Sequence, residues 1–168
     1  MKDNTPTPHP PLGQAPRVSL TAIGSRRKID LRDTGALTLL VCHGRETVTE
    51  ATQVHVAVRQ RYPQASTLLA ASLVDLKIVP KIFRGVAESA LRLAHEQAVA
   101  SLEEGMPPEE YIVILPDWDG KVTASLSLRN TPRTAGVVLL DGEGNLLEVF
   151  QGADLAEATL RLLSKHLD

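Results

Sequence analysis

The chain has 168 residues, 43% of them apolar, which suits one domain with a buried core. Its 18 Lys and Arg against 20 Asp and Glu give a net charge of −2, without the positive excess that nucleic-acid binding requires. No apolar run approaches the roughly 20 residues that span a bilayer, and no signal-like apolar run lies near Met1, so we expect a cytoplasmic protein that binds no membrane.

Residues 1–14 are rich in proline and poor in apolar side chains, a composition that favours extended, unpacked conformations. We therefore predict a disordered lead-in over 1–14 and a single folded domain over 15–168. Within the domain, short apolar runs alternate with longer segments of helical period. This alternation is typical of an α/β sheet built from crossover units.

The first half of the domain is predicted to open with a hairpin. Residues 17–20 and 28–31 flank a turn that contains glycine and serine, as hairpin strands do. The apolar run 37–41 suits a strand buried on both faces, so we expect it at the centre of the sheet. A helix over 47–61 and a second buried strand over 67–74 follow.

Residues 81–104 carry the clearest helical pattern, because apolar residues recur at helical spacing with Arg, Glu and Gln on the other side. The apolar residues are Phe83, Val86, Ala87, Ala90, Ala94, Ala98 and Leu102. The remaining predicted elements are a strand over 111–115, a short helical stretch up to Leu128, an antiparallel hairpin from 136–140 and 146–150, and a final helix over 154–167 with Asp154 as its N-cap.

Several local strings, in this order, carry a resemblance to a known family. They are APRVSL at 15–20, IDLRD at 29–33, LPDWDGKV at 115–122 and LLDGEG at 139–144. Together they resemble the thioredoxin-like redoxins of the alkyl hydroperoxide reductase and thiol-specific antioxidant (peroxiredoxin-like) superfamily. The resemblance implies an α/β protein with the thioredoxin-like fold, in which helices flank a mixed central sheet and the N-terminal hairpin is an extension.

The resemblance also implies where an active site would lie, at the start of the helix after the central strand. Thiol chemistry there needs a thiolate whose pKa is lowered by the backbone N–H groups and the helix dipole. The corresponding residues 44–50 contain no cysteine. The family's cis-proline or arginine is expected near Ala135, and Pro132 and Arg133 are both displaced from it. The missing cysteine and the displaced proline or arginine together predict a degenerate active site.

Cys42, the single cysteine of the chain, ends the apolar run of the central strand. One cysteine cannot form an intramolecular disulfide or complete a two-cysteine redox cycle. One interpretation is a core thiol packed beside Leu40. The other is an exposed thiolate activated by a neighbouring cation, in which case the candidate catalytic residues are Cys42, His43 and Arg45.

The histidines are scattered over separate elements without metal-ligand spacing, so we expect no metal and no other cofactor. The leading hypothesis is a thioredoxin-like binding or assembly protein without dithiol catalysis, whose partner is another protein or, as a homodimer, a second copy. The alternative is a single-cysteine thiol oxidoreductase or peroxidase that uses Cys42. A third hypothesis is an inactive subunit of a larger complex that docks through the helix over 81–104.

Overall fold

The computed structural model describes residues 13–168 of the chain. The predicted lead-in therefore lies outside the described residues except for Gly13 and Gln14. Gln14 forms an isolated antiparallel bridge with Asn145. No helix within the described part of the chain is long and apolar enough to cross a membrane.

Five strands form the main sheet in the order β5-β4-β3-β6-β7. Their bounds are β3 Thr38–His43, β4 Leu69–Asp75, β5 Ile114–Asp117, β6 Gly136–Leu140 and β7 Leu146–Gln151. Strands β3, β4 and β5 are parallel, whereas β6 and β7 are antiparallel to their neighbours. The apolar run predicted to be central is indeed the middle strand, and the mixed sheet is confirmed.

The predicted N-terminal hairpin is present as a separate two-stranded sheet. It consists of β1 (Ser19–Thr21) and β2 (Lys28–Asp30), which pair antiparallel. The backbone N–H of Ile23 donates to the carbonyl oxygen of Ile114, which ties the hairpin to strand β5. Ile29 is buried, so the hairpin contributes to the core.

Helices cover both faces of the sheet. They are α1 Val48–Arg61, α2 Arg84–Ala100, α3 Pro108–Tyr111, α4 Lys121–Ser125 and α5 Leu155–Leu167, with 3₁₀ turns at Arg45–Thr47 and Lys81–Phe83. Alternate residues of β3 point to opposite faces. Leu39 and Val41 pack in one core with residues of α1 and α5, while Leu40 and Cys42 pack in the other with residues of the hairpin and α4.

Two local predictions differ from the structure. Strand β5 begins at Ile114 rather than at Tyr111, because Pro107 and Pro108 start a helical turn, which proline at the first helical position favours. Asp154 precedes α5 with a left-handed φ of 55° and makes no side-chain capping bond, so the predicted N-cap interaction is absent. Helix α2 forms as predicted, yet none of its residues is fully buried.

Candidate functional site

The carboxyl ends of the three parallel strands meet at one edge of the sheet. Gly44 follows β3, and Asp75 and Asp117 are the last residues of β4 and β5, where they lie opposite each other in register. Ligands of open α/β sheets bind outside this edge, so it is the candidate site of the molecule.

A buried chain of hydrogen bonds links the start of the helical segment to the end of β4. The backbone N–H of Gly44 donates to Thr47 Oγ1 (3.0 Å), and the Thr47 hydroxyl donates to the carbonyl oxygen of Thr131 (2.8 Å). The Thr131 hydroxyl in turn donates to Asp75 Oδ2 (3.0 Å). Buried polar groups are stable when they are paired in this way, so the edge is closed by a satisfied network.

Asp117 is buried, with 2% of its surface exposed, and its carboxylate accepts hydrogen bonds from the start of helix α4. Its Oδ2 accepts from the Thr123 backbone N–H (2.8 Å) and hydroxyl (2.7 Å), and its Oδ1 accepts from the Val122 N–H (3.4 Å). These N–H groups lie in the first turn of α4, where a carboxylate satisfies donors that have no partner within the helix. The carboxylate therefore fixes the start of α4 against the sheet.

Cys42 is completely buried and lies on the same face of the sheet as this network. Its Sγ makes only a weak contact with the carbonyl oxygen of Leu40, at 3.9 Å. Burial, reinforced by the negative charges of Asp117 and Asp75, raises the pKa of the Cys42 thiol far above its ordinary value. The thiol is thus protonated at neutral pH, whereas reactive cysteines have lowered pKa values and partial exposure.

His43 and Arg45 do not join Cys42 in a site. Because successive strand residues point to opposite faces, the His43 side chain lies on the other side of the sheet. Its Nδ1 donates to the carbonyl oxygen of Gly44 (3.0 Å), and burial lowers its pKa, so the ring is neutral at pH 7. Arg45 is exposed in the 3₁₀ turn. The catalytic role considered for these three residues remains a prediction.

The loop before β6 packs directly on the start of the helical segment. A Cβ placed on Gly44 would lie 2.6 Å from Pro132 Cα, closer than real side chains approach. Pro132 is displaced in sequence from the position near Ala135 that the resemblance indicates, yet in space it faces the residue that follows the central strand. The backbone of this loop therefore leaves no room for a side chain at position 44.

Among the histidines with a hydrogen-bond partner, His55 on helix α1 has the pKa that departs most from the ordinary value. Its Nε2 lies 2.8 Å from Ser72 Oγ of β4, within hydrogen-bonding distance. Burial first, and then the positive charges carried by His43 when it is protonated and by Arg59, lower the pKa of His55 to about 4. Among residues 13–168 no three His, Cys, Asp or Glu side chains are grouped to hold a metal ion, and the expectation of no cofactor stays a prediction.

Comparison with known proteins yields fold similarity alone. No protein-family model and no curated protein match the chain. Among solved structures, the bacterioferritin comigratory protein of Xanthomonas campestris superposes with a TM-score of 0.62 at 12% identity, covering 95% of this chain and 100% of that chain. A mutant of peroxiredoxin Q from the same organism gives a TM-score of 0.61 at 12% identity, covering 94% and 99%.

A third similar structure is the exposed lipoprotein thioredoxin of Streptococcus pneumoniae, with a TM-score of 0.59 at 13% identity, covering 88% of this chain and 98% of that chain. At such low identity these similarities establish the fold and nothing finer. The chain has the thioredoxin-like fold. The resemblance to thioredoxin-like redoxins, peroxiredoxins among them, is therefore confirmed at the level of the fold.

Proposed function

We propose that this protein is a thioredoxin-like scaffold without dithiol redox catalysis, which acts as a binding or assembly protein in the cytoplasm. The observation that carries the proposal is that the candidate site has no accessible thiol. The helical segment after the central strand begins at residues without a thiol, held by a satisfied hydrogen-bond network, and Cys42 is 0% exposed behind it. A free, unpaired cysteine is also typical of proteins from reducing compartments.

Dithiol exchange requires an attacking thiolate and a second thiol that resolves the mixed disulfide. The chain has one cysteine, so it cannot supply both within one molecule. The first step also requires access of the disulfide sulfur to the attacking thiolate, and Cys42 is neither exposed nor ionised at neutral pH.

The alternative is a single-cysteine peroxidase, the class of activity named for the Xanthomonas campestris protein. In such a reaction the Cys42 thiolate would attack the peroxide oxygen, form a sulfenic acid and release an alcohol or water. An external thiol would then have to reduce the sulfenic acid. Each of these steps needs Cys42 to reach solvent.

The experiment that tests the proposal compares the purified protein with its Cys42→Ala variant. Insulin disulfide reduction with dithiothreitol and consumption of an organic hydroperoxide with an external thiol are both measured. We expect the two proteins to give the same rates, at the background of the reagents alone. A rate above background that is lost in Cys42→Ala would overturn the proposal in favour of the single-cysteine enzyme.

A further inference from the structure

The N-terminal hairpin concentrates positive charge in a chain that is slightly negative overall. Residues 17–32 carry five of the 18 Lys and Arg of the chain and one of its 20 Asp and Glu. None of these five cations forms an ion pair with another residue of the part of the chain that the structure describes. The hairpin is therefore a basic region whose charges are not neutralised by that part of the molecule.

One side of the hairpin packs on the core and the other faces solvent, because strand residues alternate between the two sides. Leu20 and Ile29 pair on the core side, whereas Ser19 and Asp30 pair on the solvent side, where both are exposed. A cleft of about 450 Å³ opens at this end of the hairpin. The residues that line it are Arg17, Val18, Ser19, Asp30 and Arg32.

Arg32 is held at the cleft by three contacts. Its Nε donates to the carbonyl oxygen of Ala15 (2.7 Å), and its backbone N–H donates to Asp30 Oδ1 (2.9 Å). A Cβ placed on Gly144 would lie 2.7 Å from Arg32 Cα and 3.1 Å from its Cγ, so the stem of the arginine packs closely on this glycine. The two Nη groups form no hydrogen bond with another described residue. The guanidinium is therefore fixed in position and retains donors for a ligand.

A second arginine lies at the same end of the hairpin. Arg17 stands two residues before Ser19 and Arg32 two residues after Asp30, and Ser19 pairs with Asp30. Like charges on neighbouring strands repel, and an anion between them removes the repulsion. Asp30 is the single acidic residue of the cleft, and it forms no ion pair with either arginine. Two guanidinium groups against one carboxylate leave the cleft net positive.

We propose that this cleft binds a carboxylate group from an acidic segment of a partner protein. The arginine fork matches the planar, bidentate geometry of a carboxylate, and the exposed Ser19 hydroxyl can donate to the same group. Lys28 lies on the same side of the hairpin, two residues before Asp30, where it would face a further acidic residue of the segment. Nucleic acid is disfavoured by the net charge of −2. The inference rests on the proposed binding role and specifies the chemistry of the partner.

The first test measures binding of a fluorescein-labelled peptide of five Glu-Gly repeats by fluorescence anisotropy, at low ionic strength because exposed charges are screened by salt. We expect saturable binding of this peptide and none of its Gln-Gly counterpart. Arg17→Glu should raise the dissociation constant at least about tenfold, because it replaces a cation of the cleft by an anion. Arg17 is exposed, so the variant should fold. Arg129→Glu is the matched control, an exposed arginine outside the hairpin, and it should change the constant by less than about twofold.

The second test uses the carboxylate of the cleft. Asp30→Asn keeps an acceptor for the Arg32 N–H but removes the negative charge, so it should tighten peptide binding, which a merely structural role would not do. Sodium phosphate should displace the peptide no better than sodium chloride of equal ionic strength.

Four results would each overturn the inference. They are no binding of the Glu-Gly peptide, an equal loss in Arg129→Glu, weaker binding by Asp30→Asn, and displacement by millimolar phosphate, which would indicate a site for a small free anion. A protein that fails to bind the peptide and still lacks thiol activity would leave the proposed absence of catalysis standing.

Discussion

The reactivity of Cys42 in the native protein can be predicted from its place in the sheet. Cys42 lies on the middle strand, opposite Leu73 of β4 on one side and Gly136 of β6 on the other. The Cys42 side chain points out of the sheet into the core formed with the hairpin and α4, so a reagent can reach the sulfur only when this core opens. Since this core lies at the centre of the fold, the opening that exposes Cys42 should cost nearly the whole free energy of unfolding.

The size of the effect follows from that free energy. Domains of this kind unfold with at least about 5 kcal/mol, and each 1.4 kcal/mol is tenfold in a population, so roughly one molecule in 4,000 or fewer is open at equilibrium. Alkylation of native Cys42 should therefore be at least about a thousandfold slower than in the unfolded chain. The raised pKa of the thiol acts in the same direction.

The assay follows iodoacetamide labelling by intact-protein mass spectrometry, in native buffer and in concentrated guanidinium chloride. The control is Arg45→Cys in a Cys42→Ala background, which puts a thiol at an exposed position of the helix start. That thiol should react at least as fast as an unfolded cysteine, because the helix start favours a thiolate. Native Cys42 labelling within tenfold of the unfolded rate would refute the reasoning.

Three further predictions concern stability. Gly44→Ala should lower the free energy of unfolding, measured by chemical denaturation, by at least about 2 kcal/mol because the new Cβ clashes with Pro132. Gly85→Ala is the control, and it should be neutral or stabilising in the same assay because the space around its Cβ is open. Between pH 6.5 and about 4 the unfolded chain protonates His55 and the native protein does not, so the free energy of unfolding should decrease as the pH is lowered, by up to about 1.4 kcal/mol per pH unit. His55→Gln should make this pH dependence flatter. An unchanged slope in the variant would contradict the prediction. Asp117→Ala should cost at least about 2 kcal/mol in the same denaturation assay, since it leaves buried donors unpaired.

The strands were the most predictable part of the fold because burial on both faces leaves a plain apolar run in the sequence. The solvent-facing side of α2 was not predictable in the same way. Periodicity identifies an apolar face, but it does not tell which face meets the body. Here polar Arg84 and His95 face inward, where they contact Trp118 and Gly24, while apolar Val86 and Leu93 face solvent.

The candidate site was predictable in its position and not in its contents. The thiol-free residues after the central strand are visible in the sequence. The bond from Thr47 to the Thr131 carbonyl joins residues 84 positions apart, and no local pattern indicates it. A weaker signal existed for the carboxylates, because Asp75 and Asp117 each end an apolar strand run.

The geometry of this edge supports the proposal that the single cysteine takes no part in catalysis. At position 42 a thiol is enclosed by the core and faces two carboxylates, which disfavour the thiolate. At position 44 the Pro132 backbone excludes any side chain. Position 45 is exposed at the start of the helical segment, and it carries an arginine. A thiol could be both accessible and activated at that third position, so the absence of thiol catalysis that we propose would follow from the position of the cysteine, within a sheet and helices that have the thioredoxin-like fold.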